Sequence, residues 1–222
     1  MEVKLISYTQ PVESIQPRTL EDLVAYCARV SNPSNQNNTK TSQKLIHYLI
    51  DHKHWSPLEM VSLCVGVVTT RDIARQILRH RSFSFQEFSQ RYADPTQSLG
   101  FVNRDARFQD KTNRQNSIEL EEKDRALQFE WSAVQNRLAN EARNAYDWAI
   151  ERGIAKEQAR AVLPEGMMES KLYMSGTLRS FIHYVDIRTG KETQREHAEV
   201  AHGVAKVIEP VFPLIKDFVK HW

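Results

Sequence analysis

A chain of 222 residues, 41% hydrophobic and 26% charged, is long enough to bury roughly 70% of the surface its unfolded form would expose, so its core needs no covalent staples. A net charge of only +2 excludes the strong basic excess of a protein that lives on polymeric nucleic acid and favours a small anionic ligand. The two cysteines, Cys27 and Cys64, lie within apolar runs. This predicts buried, reduced thiols and a cytoplasmic compartment, and neither a cleavable leader nor a run of about 18 apolar residues points to secretion or membrane insertion.

In chain order, residues 2–8 alternate weakly as a strand, and Thr19 with Asp22 starts a helix carrying Leu23, Val24, Cys27 and Ala28 on one side. The Asn-rich stretch from Ser31 to Lys40 predicts a mobile loop, because Asn, Ser and Pro offer the backbone alternatives to helix. Leu45, Ile46, Leu49 and Ile50 give residues 42–51 helical spacing; His52 to Pro57 ends that helix, and Ser56 with Glu59 starts a further turn. Val61 to Thr69, uncharged and rich in Val, predicts a strand in the middle of a sheet. Thr69 and Asp72 then cap a helix that delivers Arg79, His80 and Arg81.

Residues 94–116 are polar and patternless, which predicts a long excursion that covers the pocket, contacts another subunit or is disordered. From 117 to 152, Leu120, Leu127, Trp131, Val134, Leu138, Ala142, Ala145 and Trp148 recur at three- and four-residue intervals and predict one long amphipathic helix. A shorter helix around Lys156 to Leu163 stops at Pro164, and another is predicted from about Ser170 to Tyr184. The last covers 192–208, before Pro210 and Pro213. Helices dominate, around a small sheet.

The chemistry concentrates at Arg79-His80-Arg81 and, seven residues on, at Ser89-Gln90-Arg91. Three adjacent basic side chains cannot be buried without partners, yet Ile73, Ala74, Ile77 and Leu78 tie the same helix to a core. The cluster therefore belongs where a core helix meets a pocket. Ser84, Glu87 and Ser89 among Phe83, Phe85, Phe88 and Tyr92 suit an anionic ligand with a flat ring. Arg75 and Arg79 are placed on one helix face with Gln76 beside them, and the apolar neighbours of Arg79 and Arg160 predict buried guanidiniums in need of an anion.

Two other classes compete. A metal-dependent phosphohydrolase would use His52 and His54, with His80, His183, His197 and His202 in reserve, but no acidic ligand cluster accompanies them. A non-catalytic nucleic-acid-binding module would use the Arg/Phe-rich segment 79–92 for phosphate contact and stacking, which the modest net charge disfavours. With seven glycines and no Gly-x-Gly-x-x-Gly loop, a phosphate-rich cofactor would have to be held by side chains.

The spacing of Arg79-His80-Arg81 and Ser89-Gln90-Arg91-Tyr92 resembles the signature of the flavin-dependent thymidylate synthases. Cys27 to Ser31, His52 to Glu59, Ala74 to Gln76, Ala159 to Pro164, and Leu178 through Arg188 resemble that family's other blocks in the same order. The resemblance implies one α+β domain over 1–222 with a divergent middle at 93–152, a small antiparallel sheet with many helices, and a homotetramer whose sites draw on more than one subunit. It implies conversion of dUMP to dTMP, with 5,10-methylenetetrahydrofolate as carbon donor, FAD as redox carrier and NADPH as reductant. It implies further that no enzyme cysteine attacks the ring, and the expectation is that no metal, membrane or polymeric nucleic acid takes part. The dUMP contacts it implies are Gln76, Arg79, Glu87, Ser89, Gln90, Arg91, Arg160 and Arg188, the last lying against the uracil and polarising it as the catalytic group. The implied FAD contacts are Ser31, His54, Ser56, Arg79, His80, Arg81, Glu87, Arg179 and Gln194. Thr177 and His183 join them at positions the family often fills with asparagine.

Overall fold

The computed structural model describes residues 1–220. In chain order the elements begin with β1 (Glu2–Tyr8), α1 (Leu20–Ala28), α2 (Ser42–Asp51), β2 (Ser62–Thr70), α3 (Arg71–Ile77) and β3 (Ser84–Glu87). The middle of the chain adds α4 (Pro95–Ser98), β4 (Arg107–Gln109), β5 (Ser117–Glu119), α5 (Arg125–Glu151) and α6 (Lys156–Ala159). The last segments are β6 (Glu169–Thr177), α7 (Leu178–Arg188) and α8 (Arg195–Ile208).

β1, β2, β6 and β3 form one antiparallel sheet in that order, and β4 and β5 form a separate hairpin. β2 is central, as its Val-rich run predicts, and Val65, Val67, Leu172 and Met174 bury one sheet face against Phe181, Ile182, Val200 and Val204 of α7 and α8. Thr19 caps α1 by accepting from Asp22 N at 3.1 Å. A second, smaller core joins Tyr146 and Ala149 of α5 to Ala159, Leu163 and Met168.

Several expectations change. Residues 169–177 are strand rather than helix: Ser170, Leu172 and Met174 are buried while Lys171, Tyr173 and Ser175 are exposed, a period of two. The long helix starts at Arg125, after β5, and its apolar stripe is uncovered, with Leu127, Trp131, Val134 and Leu138 all exposed. The excursion 94–116 contains α4 and half of the hairpin, and Arg104 anchors it by donating to Asp72 and to Thr70. Within the Asn-rich loop, residues 33–35 form a 3-10 turn, and Arg29 reaches across to the carbonyl of Asn38 and to Thr41 Oγ1. Thr70, not Thr69, is the N-cap residue of α3. That helix ends before Arg79, so Arg75 and Arg79 do not share a helix face.

Candidate active site

The basic triplet lies on the turn between α3 and β3, held from both sides. Ile73, Ala74 and Ile77 bury the helix, Phe83 packs edge-on against Phe181 at 4.9 Å, and His80 N and Phe83 N close the turn on the carbonyls of Ile77 and His80. A turn so anchored sends its side chains in two directions. Arg79 and Arg81 point outward and are exposed, contrary to the burial predicted for Arg79, while His80 turns in against the rings of Tyr184, at 5.0 Å, and His197, at 6.3 Å.

Arg188, the last residue of α7, donates from Nε to His80 Nε2 at 2.9 Å. An arginine can only donate, so His80 Nε2 must carry a lone pair and the ring is neutral. Burial, reinforced by the Arg188 cation, lowers the His80 pKa to about 4, and the same two causes lower that of fully buried His197 to about 3. With Nε engaged, the Nη groups of Arg188 remain, and no carboxylate pairs with them among the described residues.

A second group surrounds Gln76, whose Nε2 donates to Gln194 Oε1 at 2.8 Å and whose Oε1 lies 3.1 Å from His197 Nδ1. A third centres on Glu87. Its carboxylate takes Arg75 as an ion pair, Arg71 at 3.7 Å and the Ser170 hydroxyl at 2.8 Å. The segment Ser89-Gln90-Arg91 leads to α6, where Arg91 pairs with Glu157 at 3.1 Å beside half-buried Arg160. Gln90 is only 4% exposed, and its Nε2 has no partner in the protein.

A cavity of about 440 Å³ is lined by Trp55, Glu59, Ser82, Arg179, Ser180 and His183. Thr177 borders it in sequence but spends its hydroxyl as the α7 cap, accepting from Ser180 N at 3.4 Å, and Arg179 pairs with Glu59. Ser56 adjoins Trp55. Ser31 and His54 are exposed and reach none of these groups through a side-chain hydrogen bond or ion pair.

The donor set fits a phosphorylated ligand with a flat ring such as FAD. Arg79, Arg81 and Arg160 lack carboxylate partners among the described residues, the cavity offers an indole and two hydroxyls, and Gln90 holds an unused buried amide. The rival readings lose ground. His52 gives Nδ1 to the Tyr48 carbonyl at 2.8 Å, and among the described residues no three His, Cys, Asp or Glu side chains are grouped to hold a metal ion. Phe83 is core, Phe85 and Phe88 are half-buried and Tyr92 alone among these rings is open to solvent, so the segment offers no row of stacking rings.

Reasoning from sequence missed His197 as a neighbour of Gln76, along with Tyr184, Arg71 and Ser170. A signal for His197 existed: it falls three residues after Gln194, on the face of α8 that buries Ala198, Val200, Ala201 and Val204.

A family model described as thymidylate synthase complementing protein matches residues 4–214. A probable flavin-dependent thymidylate synthase of Paramecium bursaria Chlorella virus 1 is 47% identical over 216 residues, 97% of each chain. The flavin-dependent thymidylate synthase of Synechocystis is 43% identical over 217 residues, again 97% of each. Among solved structures, the UMP/dUMP methylase PolB of Streptomyces cacaoi, bound with 5-Br dUMP, superposes with a TM-score of 0.79 at 26% identity, covering 97% of this chain and 93% of its own. The turn that presents Arg79, His80 and Arg81 is therefore found in a chain that belongs to the flavin-dependent thymidylate synthases.

Proposed function

We propose that this enzyme methylates dUMP to dTMP with 5,10-methylenetetrahydrofolate as carbon donor and NADPH as reductant, in a homotetramer, and that Arg188 is its catalytic cation. Bound FAD, once reduced, supplies the hydride. The observation that carries the reading is the Arg188–His80 bond, because it fixes a guanidinium through Nε while leaving its Nη donors uncompensated by any carboxylate among the described residues. Such a cation stabilises negative charge that develops on a pyrimidine carbonyl as C5 becomes nucleophilic. A carboxylate partner would already have spent it, as in the Arg75–Glu87 and Arg104–Asp72 pairs.

Arg79 and Arg160 are the phosphate-directed cations of this reading, Arg91 joins them by exchanging its exposed Glu157 partner for phosphate, and Ser89 and Gln90 are neutral donors. Arg81, Arg179 and His183, together with Ser31, His54, Ser56 and Thr177, would hold the flavin. Glu87, gripped by Arg71, Arg75 and Ser170, holds β3 and the Ser89 segment in place. Burial pushes both the Cys27 and Cys64 thiols above their ordinary pKa, the opposite of what an attacking thiolate needs, which supports chemistry without a cysteine nucleophile. Support for the tetramer comes from α5, whose exposed Leu127, Trp131, Val134 and Leu138 follow the four-three-four spacing of a helix-packing seam. No helix among the described residues is long and apolar enough to cross a membrane.

The test is a reaction of purified protein with FAD, dUMP, 5,10-methylenetetrahydrofolate and NADPH under anaerobic conditions. The expected outcome is a flavin spectrum that bleaches with NADPH, followed by dTMP; bleaching without dTMP at any folate concentration would overturn the reading.

A further inference from the structure

A hydrogen-bond chain runs from the hairpin to the nucleotide side of the site. Arg107 on β4 pairs with Glu196, Gln194 Nε2 donates to Glu196 Oε2 at 2.9 Å, Gln76 Nε2 donates to Gln194 Oε1 at 2.8 Å, and Gln76 Oε1 meets His197 Nδ1 at 3.1 Å. The charge at one end dictates the direction of every link. The carboxylate of Glu196, ion-paired with Arg107, accepts, so Gln194 must turn its nitrogen toward Glu196 and its oxygen toward Gln76. Gln76 must then donate to Gln194, which leaves its own oxygen facing His197. His197 Nδ1 therefore carries the proton.

A carboxamide has two orientations of nearly equal shape and opposite hydrogen-bonding sense. We propose that His197 is a positioning residue of the nucleotide site: its Nδ1–H holds the Gln76 amide from the side opposite Gln194 and reinforces the one orientation that the Glu196 end selects, so that Gln76 meets the substrate with an N–H of fixed direction. The proposal rests on the reading of Gln76 as a dUMP contact. The phosphate and carbonyl oxygens of dUMP are acceptors, and a flipped Gln76 would set oxygen against oxygen. Packing alone does not account for an imidazole here, because His197 is fully buried, with the rings of Tyr184 at 5.8 Å and His80 at 6.3 Å, and an aliphatic side chain in its place would avoid the desolvation cost of a polar ring. Depressed basicity in the same surroundings keeps the ring neutral, as the link to Gln76 requires only one ring proton.

The experiment measures dUMP affinity and steady-state constants on FAD-loaded enzyme for His197→Leu, His197→Asn, Gln76→Leu and the His197→Leu/Gln76→Leu double variant. His197→Leu is expected to weaken dUMP binding roughly tenfold, the upper range for one neutral hydrogen bond, raising KM for dUMP more than it lowers kcat and leaving FAD content unchanged. Asparagine carries an amide nitrogen close to the place of Nδ1, so His197→Asn is expected to restore most of the loss. In the Gln76→Leu background, His197→Leu is expected to add nothing. Unchanged affinity in His197→Leu, equal impairment of His197→Asn, or full additivity in the double variant would overturn the proposal while Gln76 stood. Unchanged affinity in Gln76→Leu would instead remove the assignment of Gln76, and the proposal with it. Should His197→Leu fail to fold, the imidazole nitrogen shifts of the unaltered protein decide: an Nδ1–H tautomer supports the proposal and an Nε2–H tautomer overturns it.

Discussion

Arginine is always charged in water, so what distinguishes one from another here is the partner it keeps. Arg75, Arg91, Arg104, Arg107, Arg179 and Arg195 each hold a carboxylate, whereas Arg188 holds the lone pair of a neutral histidine. Its charge is therefore oriented without being cancelled. Arg188→Ala is expected to lower kcat by about 10²–10³-fold, the usual cost of one transition-state donor, with little change in melting temperature; a variant with normal turnover would refute the assignment. Arg188→Lys should rescue poorly, because an ammonium lacks the Nε through which His80 aims the fork.

The two neutral histidines also make stability depend on pH, with a definite sign. His80 and His197 titrate at about 4 and about 3 in the folded protein, below the ordinary histidine value of 6.5. Above pH 6.5 both states leave the rings uncharged and the stability is complete. As pH falls from 6.5 toward 4, the unfolded chain takes up protons that the folded one refuses, and stability declines. Urea midpoints measured between pH 7 and 4.5 should fall, with a shallower slope in His197→Asn; a flat profile would contradict the neutral pair.

At the scale of elements, most of the order was legible. The strand over 2–8, α1 with its Thr19 cap, α2, the central strand and the long helix all follow from periodicity and caps. The segment 170–184 was not, for a physical reason. Met174, Leu178, Phe181, Ile182 and Val185 continue one helical spacing across the junction of β6 and α7, while the two-residue alternation of β6 covers only Ser170, Leu172 and Met174. Gly176, in that strand, is a sensitive point. A Cβ there would stand 2.5 Å from a ring carbon of Phe83, and that ring is wedged against Phe181 and Tyr184. Gly176→Ala is expected to destabilise by about 1–3 kcal/mol through overpacking, read as a lower denaturant midpoint with an unchanged slope. Because Phe83 closes the turn of the basic triplet, the same change should loosen His80.

For the whole molecule, the amphipathic pattern of α5 was legible but not what it faces. Within one chain, Gln135, Ala142, Tyr146 and Ala149 supply the buried side, and the stripe Leu127, Trp131, Val134 and Leu138 is left to water. A continuous apolar stripe of this kind is costly to leave exposed and suits another copy of the helix. If α5 carries the contact of the proposed tetramer, Trp131→Glu or Leu138→Glu is expected to give smaller species than the unaltered protein with the fold intact, measured by light scattering and circular dichroism. An oligomeric state unchanged in both variants would overturn α5 as the interface of the proposed tetramer. Because Arg79 and Arg81, proposed contacts of FAD, are exposed on their own chain, loss of the proposed assembly should also reduce FAD retention.

The sequence by itself determined the types and order of the proposed site residues: the triplet at 79–81, the Ser89-Gln90-Arg91 segment and the arginines at 160, 179 and 188 are local features, and the family resemblance they carry is what implies their roles. Only the tertiary structure decided which of those charges are neutralised and where the protons sit. His80 meets Arg188 across 108 residues and Gln76 meets His197 across 121, and hydrogen-bond direction depends on such through-space partners, which periodicity along one segment does not encode.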